Sequence, residues 1–182
     1  MPLVWVTGTA GVGKSTVCAV LRSRGHLAVD ADWDGYNRWV DRSSGEVVAD
    51  PPYPVPAGWL DRYAWRITRA KVETLAERAR GWTTFLCGYV ENEDEVRDLF
   101  DLIVCLVADA ETIRHRLQTR ATNAFGRRPE ELAAALDLAE RIEAMYRSLG
   151  ATIIDARRPA EDVADAVLAA AGTVDSPSTR TA

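Results

Sequence analysis

Near its amino terminus the chain reads Leu3-Val-Trp-Val-Thr7, then Gly8-Thr-Ala-Gly-Val-Gly13-Lys14-Ser15-Thr16, then an apolar-periodic stretch to Ser23. A short β-branched run without polar interruption is a buried strand. The glycines allow a turn whose amide groups curl inward without Cβ obstruction. Val17, Val20 and Leu21 set the inner face of the helix that follows, and Gly25 stops it. The spacing GxxxxGK[ST] is complete, with the strand before it and the helix after it that the mechanics require. Amide dipoles at the helix start converge on an anion, so the segment predicts a nucleoside triphosphate site. Lys14 is expected at the β- and γ-phosphates and the Ser15 hydroxyl on Mg²⁺. Gly8, Thr9, Ala10, Gly11, Val12, Gly13 and Thr16 are expected around the phosphate chain.

Downstream, apolar runs at 27–30, 82–87, 102–107 and 151–154 read as further strands. Helical periodicity marks 58–80, 92–99, a segment capped by Asp109 and running to Arg120, then 130–149 and 161–171. Strands alternating with helices predict an α/β fold, a three-layer α/β/α sandwich on a five-stranded parallel sheet. Residues 1–172 are expected as one domain with an insertion at 33–69, where a hairpin around Ser44-Gly45 is expected. The polar stretch 173–182 is expected as a disordered tail.

The charge balance narrows the function classes. With 22 basic against 27 acidic side chains the net charge is −5. That gives no electrostatic footprint for nucleic acid. No apolar run approaches a membrane span and no basic leader with a cleavage site is present, so a cytoplasmic protein is expected. Cys18, Cys87 and Cys105 lie in apolar stretches without CxxC spacing and read as buried free thiols. His26 and His115 are isolated, and neither is a candidate base.

One cluster has no obvious folding purpose. The stretch Ala28-Val-Asp30-Ala-Asp32-Trp-Asp34-Gly-Tyr36 sets three carboxylates at every second position, where they repel one another. Following the second strand of a parallel sheet, they open on the edge that carries the phosphate cradle. One acid there can hold Mg²⁺ and another can take the proton of an attacking hydroxyl.

With these motifs in place, residues 3–171 resemble the small P-loop kinases of the shikimate kinase, gluconate kinase and adenylate kinase type (nucleoside monophosphate kinases). Val29-Asp30-Ala31-Asp32 matches the hxDxD pattern of shikimate kinases. The resemblance implies a metal role for Asp30 alongside Ser15, and a substrate-hydroxyl role as base for Asp32. Ile113-Arg-His-Arg-Leu-Gln-Thr-Arg120 is similar to the arginine-bearing helix beside the lid. By that likeness Arg116 lies against the adenine, Arg120 touches the transferring phosphates, and residues 120–129 form the lid with Arg127 and Arg128. The stretch Ile153–Val163 resembles the adenine-facing loop, which implies base contacts from Arg157 to Pro159. The same likeness implies sheet order 2-3-1-4-5. The chain departs from the group after the third strand, where Phe85-Leu-Cys-Gly88-Tyr-Val-Glu91 has neither the DGxPR motif of adenylate kinases nor the glycine triplet of shikimate kinases.

The acceptor is expected between 33 and 69, where Trp33, Tyr36, Trp39, Tyr53, Trp59 and Trp65 cluster with Arg62, Arg66 and Arg69. At helical spacing the three arginines share one face, which favours an anionic acceptor. Asp32, Asp34, Arg62, Arg66 and Gly88 are the expected substrate contacts, and Lys14, Asp32 and Arg120 the expected catalytic set. The expectation is a monomeric or homodimeric kinase using ATP and Mg²⁺ on a small hydroxylated or phosphorylated metabolite. The alternatives are a nucleotide-dependent switch ATPase acting through a partner and a nucleic-acid end kinase.

Overall fold

The structure, a computed structural model, describes residues 1–52 and 55–175. In chain order the elements are β1 (Leu3–Thr7), α1 (Lys14–Ser23), β2 (Leu27–Asp30), β3 (Asn37–Asp41), β4 (Val47–Val48), α2 (Trp59–Arg62), β5 (Tyr63–Ile67), α3 (Arg69–Arg78) and β6 (Thr84–Cys87). Then follow 3₁₀ turns at Glu93–Glu95 and Arg97–Leu99, β7 (Leu102–Val107), α4 (Ala110–Thr119), α5 (Pro129–Ser148), β8 (Thr152–Asp155) and α6 (Ala160–Asp175).

The main sheet has five strands in the order β2-β6-β1-β7-β8, all parallel. Counting only its own strands, this is the expected 2-3-1-4-5. β1 is buried along its whole length because both faces are covered. Val4 and Val6 pack with Val17 and Leu21 of α1 and Val163 and Val167 of α6. Leu3 and Trp5 face the other way, with Leu75 of α3 and Ile142 and Tyr146 of α5. Ile113 and Leu117 of α4 join Ala135 of α5 in a third cluster beside the phosphate turn. The three cysteines are free and buried.

The insertion carries a second sheet, β4-β3-β5, antiparallel throughout. The hairpin lies where expected: Asp41 accepts the amides of Ser43 (2.8 Å) and Ser44 (3.2 Å), and Gly45 turns the chain at φ 74°. The continuous helix expected over 58–80 is not formed. Leu60, Ala64 and Ile67 do fit a helical period, but Tyr63–Ile67 is aromatic and alternating, and it pairs with Asn37–Asp41. On its other edge Asn92 acts as a substitute strand partner, its side chain donating to the Ile67 carbonyl and accepting the Ile67 amide, both at 3.0 Å. Pairing on both edges outweighs local periodicity. Consequently Arg62, Arg66 and Arg69 do not share a helical face.

The third strand of the main sheet begins at Thr84, since Trp82 is left in solvent. The acidic segment at 92–99 forms two 3₁₀ turns rather than a helix. α6 continues to Asp175, past the expected start of the tail. Tyr53 and residues 176–182 lie outside the described residues.

Candidate functional site

The phosphate turn sits at the carboxyl end of β1, in the middle of the sheet. Gly8 has φ 142°, and a Cβ there would lie 2.5 Å from the Leu106 carbonyl oxygen, so no other residue fits between β1 and β7. Gly13, at φ 113°, begins α1 without a side-chain cap, and no acid occupies the first helical turn. The opening amides of α1 therefore remain available to an anion. Thr9 is committed elsewhere, its hydroxyl donating to the Ala135 carbonyl at 3.0 Å and tying the turn to α5. Ala10 packs against the third hydrophobic cluster and Val12 is buried, while Ser15 and Thr16 are exposed.

Lys14 is buried and folded back, its ammonium donating to the carbonyls of Gly8 (2.7 Å) and Thr9 (2.9 Å). Burial lowers its pKa from the ordinary lysine value. Asp32 and then Asp30 oppose that shift, and Arg120 adds to it. The groups that bear most on Lys14 are thus Asp30 at the end of β2, Asp32 just after it and the arginine at the end of α4. Burial likewise lowers Arg120, with Asp32 again the principal opposing charge.

The acids have distinct environments. Asp30 is buried, and one of its oxygens accepts the amides of Asp32 (3.1 Å) and Trp33 (3.3 Å), which fixes the loop. Asp32 is exposed, and its Oδ1 is held by two donors from the second sheet: the Asn37 side-chain amide at 2.7 Å and the Trp65 indole at 2.9 Å. Asp34 turns away. It accepts the Asp30 amide (2.8 Å) and pairs with Arg22, whose Nε also donates to the Ala28 carbonyl at 2.7 Å. It closes the loop against α1, as a cap would. Gly88 lets the loop sit close, since a Cβ there would meet the Ala31 Cβ at 2.5 Å.

Arg116 does not extend into solvent. It spans from the Val12 carbonyl (2.8 Å) to the Ala156 carbonyl (2.9 Å), joining the phosphate turn to the loop after β8. Arg157 on that loop pairs with Asp155 (2.6 Å) and Asp109 (3.4 Å), and Pro159 opens the next helix, accepting from the Val163 amide. At the lid position, Arg120 donates to the Phe125 carbonyl (2.8 Å) and Arg127 to the Arg120 carbonyl (3.0 Å). Arg128 reaches the Val55 carbonyl of the insertion. Glu131, buried at the start of α5, accepts the Gly126 amide at 2.8 Å and shapes this loop.

Lys14, Asp30, Asp32 and Arg120 are therefore brought together. Arg62 and Arg66 are not: Arg62 pairs with Asp41 at 3.1 Å, and Arg66 pairs with Glu95. The sequence reading missed the two residues that hold Asp32. Trp65 is grouped there among the acceptor aromatics, and Asn37 is given no role. The alternation of Tyr63–Ile67 was the signal available for a strand that could carry an indole to Asp32.

Ser15 and Asp30 offer a hydroxyl and a carboxylate, hard oxygen donors suited to Mg²⁺, which takes few protein ligands when phosphates and water supply the rest. Among the described residues no group of three or more His, Cys, Asp or Glu could hold a metal unaided.

A shikimate kinase from Acinetobacter baumannii in complex with shikimate shares this fold, at 18% identity and TM-score 0.59, over 92% of this chain and 91% of that one. A gluconokinase from Sinorhizobium meliloti 1021 does so at 16% identity and TM-score 0.51, over 94% and 91%. No curated protein matches the sequence. No helix among the described residues is long and apolar enough to cross a membrane. A family model described as an AAA domain matches residues 4–144, most of the chain, and with the uncapped phosphate turn between β1 and α1 it identifies the chain as a member of the AAA domain family.

Proposed function

We propose that this chain is a phosphotransferase that moves the γ-phosphoryl group of ATP, with Mg²⁺, to a hydroxyl of a small molecule. The observation that carries the reading is the exposed carboxylate of Asp32, held at one oxygen by Asn37 and Trp65, at the end of the sheet that also carries the buried Lys14 ammonium and the uncapped start of α1. A nucleotide holder needs the turn and the lysine. It has no use for an exposed carboxylate whose orientation is fixed by two donors from another sheet.

In the reaction the acceptor oxygen forms a bond to the γ-phosphorus as the bond from phosphorus to the β,γ-bridging oxygen breaks. The acceptor hydroxyl proton passes to Asp32, whose second carboxylate oxygen has no hydrogen-bond partner among the described residues. Lys14 leaves the carbonyls of Gly8 and Thr9 for the phosphates, and Arg120 faces the equatorial oxygens, where charge spreads in the transition state. Ser15 and Asp30 would hold Mg²⁺, which supplies neutralisation of the β- and γ-phosphate oxygens when bound. The adenine would lie between Arg116 and residues 157–159. Residues 120–129 would close as a lid over a single domain spanning residues 1–172.

The test is label transfer from γ-labelled ATP to a deproteinised small-molecule extract. Wild type is expected to yield a labelled phosphoester. Asp32→Asn should retain ATP binding and lose transfer by roughly a hundredfold or more. Transfer by Asp32→Asn at the wild-type rate removes Asp32 as base. Absence of any labelled product with the wild type removes the phosphotransferase reading.

A further inference from the structure

The wall beside Asp32 is aromatic, and four arginines around it are already paired with acids. Trp39 and Trp65 are direct cross-strand partners, with ring centroids 4.9 Å apart. Trp59 meets Trp39 edge-on at 5.8 Å and lies 4.2 Å from Tyr63. Side chains alternate along a strand, so Asn37 and Trp39 share the face from which Trp65 reaches Asp32, and Arg38 and Arg66 occupy the opposite face. There Arg66 pairs with Glu95, and Arg38 bears on Lys71.

On the aromatic side Arg62 is paired with Asp41, which also accepts the hydroxyl and amide of Ser43. Arg42 is paired with Glu91, whose other oxygen accepts the Trp65 amide at 2.9 Å. Arg69 lies against Asp98 at 2.7 Å and Glu73 at 3.0 Å. An anionic acceptor is gripped by an arginine whose fork faces it. Among the described residues Arg42, Arg62, Arg66 and Arg69 each face an acid of this chain, so these four arginines and the acids they pair with are occupied by one another. What the wall offers a ligand is the half-buried indoles of Trp39 and Trp65, whose ring surface suits the C–H or π face of a ring, and the Asp32 carboxylate oxygen that Asn37 and Trp65 leave free.

Resting on the phosphotransferase reading, we propose that the acceptor is an uncharged ring compound bearing hydroxyl groups, laid against the Trp39–Trp65 wall with one hydroxyl turned to Asp32. This replaces the anionic acceptor that the helical spacing of Arg62, Arg66 and Arg69 implied.

The experiment separates a deproteinised cell extract into anion-exchange-bound, cation-exchange-bound and doubly unretained fractions before adding enzyme and γ-labelled ATP with Mg²⁺. Labelled phosphoester formed from the unretained fraction is the expected result. With that fraction as acceptor source, Trp39→Ala is expected to raise the amount needed for half-maximal rate by about tenfold, with the KM for ATP unchanged. Product formed only from a retained fraction overturns the inference and leaves the phosphotransferase reading intact. Product in no fraction overturns both. An unchanged acceptor requirement in Trp39→Ala, with ATP binding intact and the variant folded by circular dichroism, removes the aromatic wall as the acceptor surface.

Discussion

The indole nitrogen of Trp65 donates to the carboxylate of Asp32 across 2.9 Å, joining the second sheet to the loop after β2. The contact links residues 33 positions apart in sequence, so any ligand that moves the insertion also moves the candidate base. A carboxylate held at one oxygen by Trp65 and Asn37 keeps the other oxygen aimed in a fixed direction.

Trp65→Phe keeps an aromatic side chain, smaller than the indole, and deletes the donor. The expected outcome is a fall in kcat of about three- to tenfold with the KM for ATP unchanged, and a loss of about 1 kcal/mol in stability. Steady-state label transfer and urea unfolding check the two parts. A variant that changes only stability would leave Trp65 with a packing role.

Arg116→Met removes the bridge between the Val12 and Ala156 carbonyls while retaining most of the side-chain bulk. Loss of a charge-assisted bond to a partly buried carbonyl costs about 2 kcal/mol. Urea unfolding should show that decrease. Calorimetric titration with a non-hydrolysable ATP analogue should show weaker binding by about tenfold, since the phosphate turn and the loop after β8 lose their tie.

Gly88→Ala places a methyl group where the Ala31 Cβ already stands at 2.5 Å. The Gly88 carbonyl accepts the Trp5 indole at 2.9 Å, which limits retreat of the backbone. Overpacking of this kind costs about 1–3 kcal/mol, and here the loop carrying Asp32 must yield. The midpoint of urea unfolding should fall, and transfer activity should fall further than the unfolded fraction explains.

Lys14 gives a pH dependence with a definite sign. Burial lowers its pKa in the free protein, and Asp32 and Asp30 limit the shift. Bound phosphate favours the ammonium and raises that pKa, so ATP affinity is full below the free-state value and falls as pH rises through it. The decline therefore begins below the ordinary lysine value of 10.5. ATP titrations from neutral pH upward should show it. Lys14→Met should bind weakly and without that decline.

Asn92→Ala strips both partners from the backbone of Ile67, leaving a buried amide and a buried carbonyl unpaired. Each orphaned group costs about 1–3 kcal/mol. Hydrogen exchange at β5 should accelerate before exchange in the central strand β1 does.

Much of the main sheet was legible because its signals are local. Glycines at 8, 11 and 13 with Lys14 and Ser15 specify a turn and a helix start whatever lies around them. Apolar runs such as Leu102–Val107 read as strands because only burial on both faces suits them. Asp30 and Asp32 were recognisable as a pair worth explaining, since adjacent carboxylates are a local cost. The insertion was legible only in part. Tyr63–Ile67 fits two periods, and its strand conformation was decided by Asn37–Asp41 on one edge and Asn92 on the other.

The sequence by itself determined the anion-binding turn, the order of strands and helices around it, and the acids that follow β2, because each depends on residue types at fixed short spacing. Only the tertiary structure decided that Asp34 serves Arg22 while Asp32 is held by Trp65 and Asn37, and that Arg62 and Arg66 are matched by Asp41 and Glu95. Those outcomes depend on which side chain from a distant segment arrives within hydrogen-bond reach, and local spacing carries no record of that distance.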